Sequence, residues 1–209
     1  MTSALLRHRG LYIITDGPRD DLLDKVAQAL AGGAKLLQYR DKSAESSRRS
    51  HEAGALKDLC TAYGVPMIVN DDIALAHAIG ADGVHLGASD GELAAARATL
   101  GPGAIIGVSC YNSLDRAREL AAAGADYLAF GAFFPSPTKP HAPRAPIELL
   151  RQSAALGLPR VAIGGITPDN GASLVQAGAD YLAVISAVFG AADVRAAAQR
   201  FTDLYSVAD

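Results

Sequence analysis

Cysteine is scarce: Cys60 and Cys110 are the two thiols in 209 residues, one in a helical pattern and one at a strand end. So few thiols exclude a disulfide framework, and both are expected to be reduced, as in an intracellular protein. Charge of one sign is lacking too, with 19 basic residues against 22 acidic ones. A balance that close leaves no electrostatic footprint for nucleic acid or for an anionic membrane. No apolar run approaches the roughly 18 residues that a spanning helix requires. The first ten residues hold no apolar h-region, so no signal peptide is expected. A cytoplasmic location follows as an expectation. No Cys/His cluster has zinc spacing. No lysine sits in the last turn of a strand, where an aldolase barrel would place its Schiff base.

What the chain does have is apolar substance and a repeated pattern. Half of it is hydrophobic, enough for one domain with a large core. Apolar, β-rich runs of four to six residues (strand-like) alternate with segments of helical periodicity. The strands are expected over 11–15, 35–40, 66–70, 83–86, 104–109, 127–131, 160–163 and 181–186. Helical faces follow, as in Leu22, Leu23, Val26 and Leu30, or Leu56, Leu59, Cys60 and Tyr63. Thr167-Pro168-Asp169 is expected to open a helix, with proline at its first position. Gly-Ala-Asp recurs at 80–82, 124–126 and 178–180, each time after a helix and before a strand. Eight strand-helix units with a recurring turn predict an α/β protein, a closed (β/α)₈ TIM barrel, as a single domain over 1–209. An open doubly wound sheet is the alternative.

In such a barrel the active site lies at the carboxyl ends of the strands, and those ends are polar here. In order they carry Thr15, then Gln38 with Arg40 and Lys42, and Asn70 with Asp71. Next come His85 with Asp90, Ser109, the loop Ser136-Pro137-Thr138-Lys139, Gly164-Gly165, and Ser186. The strand starts read as bland by comparison, Lys35 excepted. Asp71 and Asp90 could share a magnesium ion, a cation that takes one or two carboxylates plus substrate phosphate oxygens. Arg40, Lys42 and Lys139 supply charge and donors for phosphate. Gly164-Gly165 allows a close backbone approach just before a helix N-terminus. Two anionic subsites follow, one metal-assisted and one built mainly from backbone amides. The segment 133–146 holds five of the ten prolines, and a loop that long in a compact domain is usually functional.

Plainer roles compete. Asp72 reads as an N-cap, and Asp90 reads equally as a cap or a ligand. Ser109 and Ser186 could satisfy local backbone groups. His85 reads as a packed, hydrogen-bonded residue, and His51 and His77 as outward-facing.

The ordered set of strand ends resembles the thiamine-phosphate synthase family. The resemblance is carried by Gln38-Tyr39-Arg40-Asp41-Lys42, Asn70-Asp71, Gly83-Val84-His85-Leu86-Gly87 with Asp90, and Ser109. It continues through Ser136-Pro137-Thr138-Lys139, Ala162-Ile163-Gly164-Gly165-Ile166 and Ile185-Ser186. It implies a magnesium-dependent transferase joining a hydroxymethylpyrimidine diphosphate to a thiazole phosphate, with release of pyrophosphate. By that resemblance Gln38, Tyr39, Arg40, Asp41, Lys42, Asn70, Ser109 and Lys139 hold the pyrimidine diphosphate, and Arg40, Ser109 and Lys139 are its catalytic residues. Asp71 and Asp90 bind Mg2+. Ser136, Pro137, Thr138, Gly165, Ile185 and Ser186 hold the thiazole phosphate. Small-molecule substrates are the expected partners, and a homo-oligomer is left open. The chain departs from the family pattern at Ala88, Tyr39, Asp41 and Cys110-Tyr111. The runner-up is a thiazole tautomerase of the same fold, which needs an acid-base residue rather than a magnesium-diphosphate site.

Overall fold

Alternation along each strand sorts the side chains into two layers. In the computed structural model, which describes residues 6, 8–87, 90–135 and 144–206, with the backbone alone at 90 and 91, eight parallel strands close into a barrel in sequence order. They are β1 (Gly10–Ile14), β2 (Leu36–Tyr39), β3 (Met67–Asn70), β4 (Gly83–Leu86), β5 (Ile105–Tyr111), β6 (Tyr127–Gly131), β7 (Arg160–Ile163) and β8 (Tyr181–Val184). Leu11, Ile13, Leu37, Tyr39, Met67, Val69, Val84, Ile106, Val108, Leu128, Phe130 and Leu182 face the helices. Tyr12, Ile14, Leu36, Ile68, Ile105, Tyr127, Ala129, Val161, Tyr181 and Ala183 fill the barrel interior. Each fully buried side chain of this kind contributes about 2 kcal/mol by leaving water, which is why the strands read as continuous apolar runs.

The helices are α1 (Leu22–Ala31), α2 (Ser46–Tyr63), α3 (Ile73–Ala78), α4 (Asp90–Leu100), α5 (Leu114–Ala122), α6 (Glu148–Gln152), α7 (Ala172–Gln176), α8 (Ser186–Phe189) and α9 (Val194–Ser206). The apolar faces hold with three corrections. Leu23 and Tyr63 are exposed, because each lies to one side of a face already filled by Val26 and Leu30, or by Leu56 and Cys60. Leu120 completes the buried face of α5 beside Ala117. The helix after β7 starts at Ala172 rather than at Pro168. There the Asn170 side chain accepts from the Thr167 amide at 2.9 Å and donates to the Gly165 carbonyl at 3.1 Å, turning 167–171 before the helix begins.

The expectation that strand starts are bland is overturned. Each Gly-Ala-Asp turn has its glycine at positive φ, +62°, +96° and +99° at Gly80, Gly124 and Gly178, and its aspartate bracketing the preceding strand. Asp82, Asp126 and Asp180 each accept a backbone N–H at 2.8 Å, from Met67, Ile106 and Arg160. Each also meets a cation through the same oxygen, Lys57 Nζ at 2.7 Å, Arg97 Nη2 at 2.7 Å and Arg160 Nε at 3.2 Å. The amino end of the barrel is therefore charged but internally satisfied. Cys60 and Cys110 are free and buried, with burial pushing each thiol up to about 12. No helix among the described residues is long and apolar enough to cross a membrane.

Candidate active site

At the carboxyl end the charges are not satisfied in the same way. Thr15, fully buried where β1 ends, fixes the end of β2. Its hydroxyl donates to the Arg40 carbonyl at 3.0 Å and accepts from the Arg40 N–H at 2.8 Å. The Arg40 peptide is held, while its guanidinium and the exposed Lys42 ammonium take no protein partner among the described residues. Two cations without a partner among the described residues thus stand together at a strand mouth.

Asn70 ends β3 opposite His85 in register. The next residue, Asp71, stands at φ +61°, a region a non-glycine residue rarely adopts and one that recurs at functional sites. Its amide donates to the His85 carbonyl at 2.9 Å, and its exposed carboxylate accepts from Asn70 Nδ2 at 2.7 Å. Asp72 turns the other way. It caps α3 by accepting the Leu75 N–H at 2.9 Å and pairs with Arg49 at 2.8 Å, so it starts a helix, as expected.

The side chains on either side of Arg40 are engaged within the protein. Gln38 faces the barrel interior, so Tyr39 must face out, and its phenol donates to Glu52 on α2 at 2.9 Å. Only the backbone of Tyr39 is left for a ligand. The Asp41 carboxylate accepts the Ser43 amide at 2.8 Å and Arg48 Nη2 at 2.7 Å, so it braces the loop after β2. Gly164 and Gly165, at φ +103° and +64°, do permit a close approach, but by the protein itself. A Cβ on Gly165 would stand 2.3 Å from the Pro135 carbonyl oxygen. Ile185 is part-buried against the interior, and Ser186, exposed, opens the one-turn α8. Ser136, Pro137, Thr138 and Lys139, and the side chain of Asp90, lie outside the described residues.

Beneath this mouth runs a set of contacts that the reading of strand ends missed. Gln38 Nε2 donates to the Tyr12 hydroxyl. The Tyr12 and Tyr127 hydroxyls are 2.9 Å apart, Tyr127 meets His85 Nδ1 at 2.7 Å, and His85 Nε2 meets Ser109 Oγ at 2.9 Å. Burial pulls the His85 imidazole down to about 4 and pushes both phenols well up, so all three are neutral near pH 7. His85 is thus a packed, hydrogen-bonded residue, as its place in a short strand suggested. His51 and His77 are exposed. A signal for the network was available, because period-two alternation places Tyr12, Gln38, His85, Ser109 and Tyr127 on the interior side.

The end of β5 also steadies its neighbour. A register irregularity at Ser109–Tyr111 leaves Tyr111 at φ +54°. Its hydroxyl donates to the Gly87 carbonyl at 3.1 Å, to which Arg116 also donates at 3.2 Å. Arg116 donates to the Ser109 carbonyl at 2.8 Å as well.

The donor chemistry at the mouth fits a hard divalent cation only with help. Among the described residues no group of three His, Cys, Asp or Glu side chains could hold a metal. Asp71 is an exposed oxygen ligand, the arrangement expected where substrate oxygens complete the coordination of magnesium.

Fold and site together define a (β/α)₈-barrel protein with Arg40, Lys42 and Asp71 at its mouth over a neutral polar interior. The thiamine monophosphate synthase family profile matches residues 11–188. The thiamine-phosphate synthase of Methylobacillus flagellatus is 56% identical over 200 residues, covering 95% of this chain and 96% of that one. That of Xanthomonas campestris is 57% identical over 199 residues, covering 92% and 94%. The solved thiamine phosphate pyrophosphorylase from Pyrococcus furiosus superposes with a TM-score of 0.88 at 37% identity, covering 97% and 98%. The chain belongs to the thiamine monophosphate synthase family.

Proposed function

We propose that this protein is a magnesium-dependent thiamine-phosphate synthase acting in the cytoplasm as a single barrel domain. It would join 4-amino-2-methyl-5-hydroxymethylpyrimidine diphosphate to a thiazole phosphate, giving thiamine phosphate and pyrophosphate. The observation that carries the reading is the pair of cations, Arg40 and Lys42, without a partner among the described residues and just beyond the end of β2, the strand next to that of Asn70-Asp71, in a chain of this family. The carbon–oxygen bond to the diphosphate breaks dissociatively, and the thiazole nitrogen captures the pyrimidine cation. That nitrogen has no proton to lose, so no general base is required. Arg40 and Lys42 stabilise the departing diphosphate, with Lys139 in the same role. Asp71 and Asp90 would hold magnesium, which when bound supplies further positive charge against the leaving group. Gln38, Asn70 and Ser109 orient the pyrimidine. Ser136, Pro137, Thr138, Gly165, Ile185 and Ser186 hold the thiazole phosphate near the reacting carbon, removing the entropy of encounter.

The tautomerase reading needs a free acid-base group. His85 has both ring nitrogens engaged and is held neutral, which favours the synthase. The deciding experiment supplies both substrates with magnesium and follows thiamine phosphate and pyrophosphate. Pyrophosphate release that depends on the thiazole partner supports the synthase, and thiazole isomerisation without it supports the tautomerase.

A further inference from the structure

Five polar side chains from five strands form one unbroken chain across the barrel interior: Gln38 of β2, Tyr12 of β1, Tyr127 of β6, His85 of β4 and Ser109 of β5. Its middle is closed to solvent, with Tyr12 1% and Tyr127 0% exposed. Buried polar groups must be satisfied, and each link can use only one proton. With the Gln38 amide oriented as it stands, the counting leaves a single arrangement. The Gln38 amide N–H donates to the Tyr12 oxygen, so the Tyr12 proton goes to the Tyr127 oxygen. The Tyr127 proton then goes to His85 Nδ1. An imidazole that accepts at Nδ1 carries its N–H on Nε2, directed at Ser109 Oγ. The Ser109 proton points out of the chain.

The two ends are thereby given opposite characters. The Gln38 carbonyl oxygen presents an acceptor and the Ser109 hydroxyl a donor, and neither takes another partner among the described residues. Both residues are among those assigned above to the pyrimidine, and the inference rests on that assignment. β2 and β5 are three strands apart around the barrel, so their side chains reach a bound ring from different sides. A 4-aminopyrimidine offers a matching pair, an exocyclic amino group that donates and a ring nitrogen across the ring that accepts.

We propose that Tyr12, Tyr127 and His85 are positioning residues that fix the hydrogen-bond direction of Gln38 and Ser109, and so select a 4-aminopyrimidine diphosphate over its 4-oxo analogue. An oxo group would meet the Gln38 carbonyl acceptor to acceptor. Turning the Gln38 amide over to present its N–H₂ would require every proton along the chain to reverse with it. Deleting one hydroxyl in the middle releases both ends. In Tyr127→Phe the Tyr12 proton is free to bond the Gln38 carbonyl, and the flipped amide N–H₂ then donates to the oxo group.

The test compares the 4-amino diphosphate with its 4-oxo analogue, read as alternative substrate or as competitive inhibitor, in wild type, Tyr127→Phe and Tyr12→Phe. Wild type is expected to prefer the amino ring by about 10²-fold or more, as sites that would leave a buried polar group unpaired do. The preference is expected to fall at least about tenfold in both variants, a change that a purely structural role would not produce because it would weaken both ligands alike. Loss of activity in a variant with the wild-type preference intact would overturn the proposal. A wild-type preference below about tenfold would overturn it without any variant. No turnover of the amino substrate by wild type, with both substrates and magnesium present, would instead remove the synthase reading and this inference with it.

Discussion

A methyl group on Gly107 would stand 1.8 Å from Cζ of Tyr127. The glycine of β5 is the gap through which the tyrosine of β6 crosses the barrel to reach Tyr12 and His85. Overfilling such a site costs about 1–3 kcal/mol. Gly107→Ala is therefore expected to lower the urea-unfolding free energy by that amount and to move Tyr127 out of line. In a double-mutant cycle the cost should shrink by about 1 kcal/mol or more in a Tyr127→Ala background. Additive effects would mean that the two residues do not share this space.

Asp71 and Asp72 are neighbours with separate tasks, and substitution should separate them. Asp71→Asn keeps a residue that tolerates positive φ, so folding is retained while turnover falls about 10²-fold or more from lost charge stabilisation. Asp72→Ala removes the cap of α3 and the pair with Arg49, costing about 1 kcal/mol of stability with turnover near wild type. Steady-state kinetics at limiting magnesium and thermal unfolding on the same samples read both effects. Wild-type-like turnover in Asp71→Asn would refute the metal role.

Burial holds the His85 imidazole down at about 4, below its ordinary 6.5. As pH falls, the unfolded chain takes up this proton near 6.5, while the folded chain resists until about 4. Protonation therefore favours unfolding in that window. The contribution is fully present above 6.5, is lost progressively on acidification, and amounts to a few kcal/mol, on the order of 3, by linkage. Unfolding free energies measured from pH 7 to 4 should slope less steeply in His85→Gln than in wild type. Parallel curves would show that His85 is not the group responsible.

The two ends of the barrel should respond oppositely to charge removal. Asp126→Asn weakens the bracket on Ile106 and Arg97 and is expected to cost about 2 kcal/mol, with kcat and KM for both substrates unchanged. Arg40→Gln removes a cation that no protein group pairs with among the described residues. It should leave the melting temperature within about 2 °C while lowering kcat/KM for the pyrimidine diphosphate at least about tenfold. The reverse pattern would place the binding face at the wrong end.

The barrel was legible because its signals are local and repeated: eight apolar runs, helical faces between them, and Gly-Ala-Asp turns. The candidate site was legible as a row of polar residues at strand ends, and Asp72 as a cap. Hidden in one dimension was which polar groups are satisfied. Asp82, Asp126 and Asp180 look like turn residues until their partners on the neighbouring strand are seen. Gln38 and Tyr39 look like one motif until the pleat sends them to opposite faces. Tyr12 and Tyr127 read as ordinary β-formers, since nothing local tells that two phenols 115 positions apart share a hydrogen bond. The helix expected at Pro168 failed because Asn170, two residues on, offers the backbone a turn instead.

The brackets at the amino end carry one more consequence. Gly33-Ala34-Lys35 precedes β2 with Gly33 at φ +97°. The Lys35 amide donates to Leu11 at 2.8 Å, just as the amides of Asp82, Asp126 and Asp180 donate to Met67, Ile106 and Arg160. The same turn thus occurs four times, once before every even strand, with lysine in place of aspartate at the first. Counted this way the ring is four two-strand staves, and the stave at the seam is the odd one. There the lysine stem lies against Gly10, where a Cβ would be 2.7 Å from Lys35 Cγ. Where three staves are latched by a carboxylate, the one that closes the circle is fitted by shape.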